Sequence, residues 1–127
     1  MNERELWWIA GLFEGEACFD VQRNVGKNRK NRVDKRARIR LKMTDSDVVA
    51  RAHNIIGFGS ITSSSAPGRK TDFSLTIVGK DALYLMRELE PLMGGRRTIR
   101  IRDVLDEIAV KHIDDQIGVP LELRRAV

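Results

Sequence analysis

The chain has 127 residues, enough to bury one hydrophobic core, and its 42% apolar and 32% charged residues are typical of a folded, water-soluble domain. No apolar run approaches the roughly 20 residues needed to span a bilayer, and the first residues lack the basic and apolar segments of a signal peptide. The single cysteine excludes an internal disulfide and a cysteine-rich zinc site. We therefore expect a cytoplasmic protein that makes no membrane contact and is not secreted.

The net charge of +5 is distributed unevenly along the chain. Residues 22–42 contain ten Lys or Arg and one acid, a net +9, which leaves a net −4 on the other residues. A basic stretch on a mildly acidic body is typical of a protein that binds a polyanion. The other interpretation is a solvated loop or disordered arm, but the alternation described below favours strand for much of it.

The first part of the chain changes from helical to strand periodicity. Residues 3–16 are predicted to form a helix that is apolar nearly all round, and such a helix should be buried. Residues 18–23 alternate with period two, as in a strand, and we expect Cys18 to pack rather than to react. Residues 25–33 are predicted to be a loop rich in Gly, Asn, Lys and Arg.

Residues 36–43 give the strongest strand signal, because four cations alternate strictly with four apolar residues. One face of this strand should belong to the core, and the other should be a row of positive charge. Four like charges on one face repel each other unless an anion is near.

The second half repeats the order helix, strand, strand, helix. Residues 44–47 resemble an N-cap cluster that opens a second helix, and residues 57–59 end it. Strands are predicted at 60–63 and 72–77 around a turn at 64–70, followed by a helix at 79–89. An amphipathic helix is predicted at 96–113, and its apolar residues include Ile99, Ile101, Val104, Leu105 and Ile108. The order predicts one α+β domain over residues 1–127, with its core at 3–113 and a tail at 114–127.

Alternation also predicts which side chains face away from the helices, where an antiparallel sheet can enter a DNA major groove. Asp20 shares this face. The strand residues predicted to contact DNA are Gln22, Asn24, Arg36, Arg38, Arg40, Lys42, Thr62, Ser64, Asp72, Ser74 and Thr76. Outside the strands, DNA contacts are predicted for Lys27, Arg29, Lys30 and Arg32, which should touch phosphates, and for Arg69, Lys70 and Arg97.

The first helix ends on two acids, Glu14 and Glu16, which face the negative end of the helix dipole at a cost of some tenths of a kcal/mol to about 1 kcal/mol each. Helix C-termini normally prefer Lys or Arg, so two acids at this position indicate a function. A bound hard divalent cation would compensate for their unfavourable interaction with the helix dipole. Small residues on the same helix allow a second helix to approach closely. The residues predicted to meet that second helix, which the resemblance described below implies is the same helix of a partner subunit in a dimer, are Trp8, Ala10, Gly11, Leu12 and Gly15.

The segment Ile9-Ala10-Gly11-Leu12-Phe13-Glu14-Gly15-Glu16-Ala17 resembles the nine-residue signature of the LAGLIDADG homing endonucleases. The order of the following elements, the Met43-Thr44-Asp45 sequence and the residues before Arg96 and Arg97 are similar to that family as well. The resemblance covers about residues 5–110. It implies an αββαββα core with an antiparallel sheet as a DNA-binding saddle and the helices on its other face.

The resemblance also implies roles for individual residues. Glu16 would ligate a catalytic Mg²⁺ (or Mn²⁺), with Glu14 in a more structural role. Asp45 would help place the nucleophilic water, and Arg96, helped by Arg97, would line the cleavage pocket. A single motif implies a homodimer on a long pseudo-palindromic double-stranded DNA site, encoded by a phage or organellar mobile element.

Three residues depart from the family pattern. Both motif acids are Glu where Asp is usual, Ala17 replaces the closing Gly, and Asp45 is an acid where some relatives have an amide. His53 and His112 are interpreted as structural or surface residues.

The main hypothesis is a metal-dependent, homodimeric, site-specific DNA endonuclease. The alternatives are an inactive DNA- or RNA-binding protein of the same fold, such as a transcriptional regulator or intron maturase, and an unrelated α+β interaction domain with a basic surface. Retention of both acids favours the first.

Overall fold

Four helices cover one face of a four-stranded sheet in the computed structural model, which describes residues 1–25 and 33–117. Asn2 begins the first helix with a capping box, in which its side chain accepts from the Glu5 N–H at 2.8 Å and the Glu5 carboxylate accepts from the Asn2 N–H at 2.9 Å. The elements are α1 (Glu3–Glu16), β1 (Ala17–Val25), β2 (Val33–Met43), α2 (Ser46–Ile56), β3 (Ser60–Ser64), β4 (Asp72–Val78), α3 (Gly79–Leu89), a 3-10 turn (Glu90–Leu92) and α4 (Gly95–Ile117).

The sheet is antiparallel throughout, with strand order β1-β2-β4-β3. Ala17 lies opposite Leu41 at one end of the β1–β2 pair, and Met43 lies opposite Phe73 where β2 meets β4. Pairing of β2 with β4 joins the two predicted strand pairs into one sheet. The predicted α+β class and element order are confirmed.

The core lies between the sheet and the helices. Odd-numbered strand residues such as Phe19, Ile39 and Leu41 are buried against Ile9 and Phe13 of α1 and against the other helices. Burial of apolar surface on this single face is the main stabilising contribution to the fold. It leaves the opposite face of the sheet open.

Helix α1 is buried on one side only, so the prediction of a helix buried nearly all round is wrong. Ile9, Ala10 and Phe13 are buried, whereas Gly11 is exposed and Trp7 is 53% exposed. The reason is that α1 lies at the outside of the helical layer, with nothing from the described residues packed on its far side.

The link from α2 to β3 depends on glycines in left-handed backbone conformations. Gly57, at φ 84°, donates its N–H to the His53 carbonyl at 2.8 Å and ends α2. Gly59, at φ 95°, lies so close to β4 that a Cβ there would stand 2.9 Å from Ile77 Cγ1. The His53 ring nitrogen Nε2 lies 3.0 Å from the Gly59 carbonyl, which gives His53 the structural role expected for it.

Several predicted boundaries differ from the structure. Val25 and Val33 belong to strands rather than to the predicted loop, and residues 26–32 lie outside the described residues. Helix α4 includes residues 114–117 of the predicted tail, while residues 118–127 and the His112 side chain lie outside the described residues.

Ile99 of α4 is 62% exposed, because it lies two residues, about 200° around the helix, from the buried Ile101. No helix in the described ranges is long and apolar enough to cross a membrane.

Candidate nucleic-acid interface and catalytic residues

The open face of the sheet carries the even-numbered strand residues, as alternation predicted. The register places Cys18, Arg40, Thr76 and Ser60 side by side across all four strands. Cys18 is exposed on this face, so the expectation that it packs in the core is wrong; its position in β1 turns it outward. The predicted polar residues of this face are half-buried or exposed, and they are Gln22, Asn24, Thr62, Ser64, Ser74 and Thr76.

Asp20 joins two arginines on the open face. Arg38 Nε and Nη2 donate to Asp20 Oδ1 and Oδ2, each at 2.8 Å, and Arg40 Nη2 donates to Oδ2 at 3.1 Å. The hydrogen bond from Arg38 lowers the pKa of Asp20, helped by the charges of Arg38, Arg40 and Arg100 and opposed by burial. The same hydrogen bond raises the pKa of Arg38.

The other two cations of the row also have acid partners. Arg36 Nε lies 3.5 Å from Asp34 Oδ2, and Lys42 Nζ lies 3.6 Å from Asp72 Oδ2. The predicted row of four cations lies on the open face, but acids of β1, β2 and β4 lie beside it and reduce its net positive charge. Asp72, predicted to contact DNA, instead pairs with Lys42 in this free chain. Exposed pairs of this kind contribute up to about 1 kcal/mol each, so phosphates can replace the acids.

The other two described cations of residues 22–42 lie on the helix side of the sheet. Arg23 and Lys35 are odd-numbered and face the helices, where Glu107 of α4 pairs with both of them. Arg69 and Lys70 are exposed in the β3–β4 connection, as a DNA contact would require. The predicted phosphate contacts that lie outside the described residues are Lys27, Arg29, Lys30 and Arg32.

The end of α1 is tied to the start of α4 by reciprocal contacts. Both Glu14 carboxylate oxygens accept from the Gly94 N–H, at 3.0 and 3.1 Å, and so satisfy a donor beside the N-terminus of α4. Arg97 donates from Nε to the Glu14 carbonyl at 3.0 Å and from Nη1 to the Ala17 carbonyl at 2.7 Å. Arg97, predicted to contact DNA, is half-buried and caps α1 instead, because its guanidinium faces the unpaired carbonyls at that helix end.

Three other side chains near this end of the sheet are not engaged in the way that Glu14 and Arg97 are. They make no hydrogen bond or ion pair with any other residue of the described ranges, and they are Glu16, Asp45 and Arg96. All three are exposed. The topology places them at one end of the sheet, since Glu16 precedes the start of β1, Asp45 follows the end of β2, and Arg96 lies in the first turn of α4. The backbone therefore places the three predicted catalytic residues at the same end of the sheet.

The donor set at this end suits part of a metal site. A carboxylate without a partner, such as that of Glu16, is the type of ligand that a hard divalent cation takes. Within the described part of the chain, however, no three His, Cys, Asp or Glu side chains lie close enough together to hold a metal. A divalent cation held by the Glu16 carboxylate would take its remaining ligands from water or from another molecule.

The outer side of α1 is open at its glycines. A Cβ at Gly11 or Gly15 would meet nothing within 4 Å, so both positions leave room for another backbone. Trp7 lies on the same side, 53% exposed, and the sequence prediction missed it although 7, 11 and 15 have the spacing of one helix face.

The other predicted interface residues are used within the chain. Ala10 is only 2% exposed and packs in the core, so the structure does not place it at an interface. Trp8 packs partly against the core and lies beneath the Arg51 guanidinium, 4.1 Å from the ring centre, and Leu12 is half-buried. The packing of α1 on the sheet sets these orientations.

Comparison with known families gives a match to the model of the LAGLIDADG endonuclease family over residues 9–93, more than half of the chain. The chain belongs to the LAGLIDADG endonuclease family. The family expected from the motif is thus confirmed, and the match spans the elements from α1 to the 3-10 turn. No curated protein matches the sequence of this LAGLIDADG chain.

Solved homing endonucleases have a similar fold. The endonuclease I-CvuI in complex with its target is 16% identical, with 83% of this chain and 68% of that chain covered and a TM-score of 0.67. I-CeuI complexed with DNA is 16% identical over 92% of this chain and 59% of that chain, with a TM-score of 0.72. The archaeal I-Vdi141I complexed with DNA is 16% identical over 90% and 72%, with a TM-score of 0.66. At these identities the similarity shows the fold, which confirms the predicted αββαββα architecture.

Proposed function

We propose that this LAGLIDADG endonuclease cuts double-stranded DNA at a long, nearly palindromic site, as a homodimer that uses Mg²⁺ or Mn²⁺. The observation that carries the proposal is the contrast at the end of the sheet. Glu14 and Arg97 are engaged in the fold, whereas Glu16, Asp45 and Arg96 are exposed and have no partner among the described residues. Polar groups of this kind, grouped beside an open sheet, are available to a ligand.

The open side of α1 supports the homodimer. Packing two copies of α1 through Gly11 and Gly15 would bring the two helix ends together, because Glu16 is the last residue of the helix. Each chain would then contribute one Glu16 carboxylate. Two carboxylates that face one site can together hold a divalent cation.

The open face of the sheet supports DNA as the partner. It presents arginine, glutamine, asparagine and hydroxyl side chains, which can hydrogen-bond to base edges in the major groove. Two copies related by a two-fold axis would present two such sheets, one to each half-site, which is why the target should be nearly palindromic. The similar structures of I-CvuI and I-CeuI were solved in complex with DNA.

The chain's own residues would act at the scissile phosphate in three ways. Glu16 would hold a divalent cation, as its free carboxylate allows. Arg96 would stabilise negative charge on the phosphate, and Asp45 would accept a hydrogen bond from the attacking water and orient it. When bound, the cation supplies Lewis-acid stabilisation of charge at the reacting phosphate. Structures of I-CvuI with calcium and with magnesium support the use of a divalent ion.

The test uses the full chain and two DNA duplexes from the locus that encodes it. One duplex contains the coding insert, and the other is the uninterrupted site without it. We expect cleavage of the uninterrupted duplex with Mg²⁺ or Mn²⁺ and none with EDTA. Glu16→Gln should lower the cleavage rate at least about a hundredfold, a typical loss for a group that supports transition-state charge.

The matched control is Glu88→Gln, which removes the same charge at an exposed position of α3 and should cut at the wild-type rate. Metal-independent cleavage, or full activity in Glu16→Gln, would refute the proposed chemistry. Binding without any cleavage would instead support the inactive DNA-binding protein.

A further inference from the structure

The Arg38 side chain leaves one edge of its guanidinium free. A guanidinium has five N–H groups in a fixed plane, and Arg38 directs Nε and one N–H of Nη2 to the two oxygens of Asp20 at 2.8 Å. The edge formed by Nη1 and the second N–H of Nη2 points away from Asp20 and has no partner among the described residues. Two parallel donors on one edge match the O6 and N7 acceptors of guanine.

Arg38 is also held more firmly than its neighbours. Its side chain is 22% exposed and that of Asp20 is 18% exposed, whereas the Arg40 side chain is 47% exposed and makes a single bond to Asp20. Arg38 lies in the middle of the sheet, between Asp20 on β1 and Val78 on β4. A side chain already ordered in the free protein loses less conformational entropy on binding, so more of its interaction free energy contributes to affinity.

Asp20 also reduces the positive charge that faces DNA. With Arg38 and Arg40 it forms a group of two positive charges and one negative charge, a net +1. Attraction to phosphates depends on the number of cations that can neutralise them, and it does not depend on base sequence. A carboxylate that occupies two arginines therefore weakens binding to any duplex, while it orients Arg38 toward a base.

We propose that Asp20 is a specificity-determining positioning residue, which holds Arg38 as a reader of one guanine in each DNA half-site and suppresses binding to unrelated sequences. This inference rests on the proposed function, since it assumes that the open face binds DNA. An acid on a surface that binds a polyanion would thus increase the selectivity of that surface.

The experiment selects duplexes from a randomised library with the full-length wild-type chain, with Asp20→Asn and with Arg38→Lys. Wild type should select guanine at one position in each half-site. Both variants should lose that preference by roughly tenfold, the range expected for one bidentate contact.

Binding to one duplex of arbitrary sequence then separates the two variants. Asp20→Asn should bind this duplex more tightly than wild type, and its salt slope should steepen by about one to two, because two cations become free to contact phosphates. Arg38→Lys keeps both the charge and Asp20, so its affinity for this duplex should stay within about twofold of wild type. A variant that had lost its fold would bind every duplex less, which is the opposite of the result expected for Asp20→Asn.

Glu107→Gln is the matched control. Glu107 also pairs with two cations, Arg23 and Lys35, but on the helix side of the sheet, and its replacement changes the net charge equally. It should keep the guanine preference and the salt slope. If Asp20→Asn kept both the guanine preference and the wild-type salt slope, the role of Asp20 would be overturned while the proposed function would stand. The same would follow if the wild type selected a site without the guanine. Failure of the wild type to select any sequence would overturn the proposed function as well.

Discussion

Replacing Arg97 by alanine tests whether the contact between α1 and α4 supports the fold. The substitution removes the donors to the Glu14 carbonyl at 3.0 Å and to the Ala17 carbonyl at 2.7 Å. Both carbonyls lie at the C-terminal end of α1, where helical partners are missing. Arg96 is the matched control, since it is the neighbouring arginine, is exposed and has no partner in the described ranges.

The expected loss follows from the two bonds. A hydrogen bond that involves a charged group contributes about 1.5–3 kcal/mol, so two of them set an upper bound of about 6 kcal/mol. Water can reach the half-buried site and replace part of the lost hydrogen bonding. We therefore expect the free energy of unfolding to fall by about 2–4 kcal/mol. For a domain of this size, that corresponds to a fall in Tm of about 10 °C.

The assay is thermal unfolding of wild type, Arg97→Ala and Arg96→Ala at one protein concentration, because dimerisation would make Tm depend on concentration. Arg96→Ala should lose no more than about 0.5 kcal/mol in stability and yet cut DNA about 10²–10³ times more slowly. If the two variants melt within about 2 °C of each other, the contact does not contribute as the distances suggest.

Three further predictions follow from other positions. Gly59→Ala should lower the free energy of unfolding by at least about 2 kcal/mol in urea titration, because its φ is 95° and a Cβ would stand 2.9 Å from Ile77 Cγ1; an unchanged midpoint would contradict this. Gly11→Leu should give a folded monomer in sedimentation equilibrium, since the monomer has room for the side chain and a dimer through α1 does not; a dimer of wild-type affinity would show that α1 is not the seam. The lowered pKa of Asp20 makes its pairing with Arg38 stabilising above its usual value of 3.8, and this contribution is lost as pH falls below that value. The difference in urea midpoint between wild type and Asp20→Asn should therefore stay constant well above pH 3.8 and shrink as the pH falls below 3.8 and through the lowered pKa of Asp20, and a difference that does not shrink in acid would contradict the assignment.

Local periodicity determined the element order, the fold class and the face on which each strand residue lies. The alternation of residues 36–43 is one example, since Arg38 and Arg40 lie on the open face and Ile39 and Leu41 in the core. Such predictions succeed because successive side chains of a strand must point to opposite faces, whatever the strand packs against. The motif at the end of α1 likewise indicated the family.

Tertiary structure alone decided which charges meet. Asp20 lies opposite Arg38 only because the β1–β2 register places it there, and that register is set across a connection whose length does not reveal it. Glu14 and Gly94 are 80 residues apart, as are Ala17 and Arg97, so no local pattern connects them. The orientation of α1, which buries Ala10 and exposes Gly11, depends on how the whole helix packs on the sheet. Sequence periodicity is a property of neighbouring residues, whereas the partner of a charged side chain depends on residues brought close by packing.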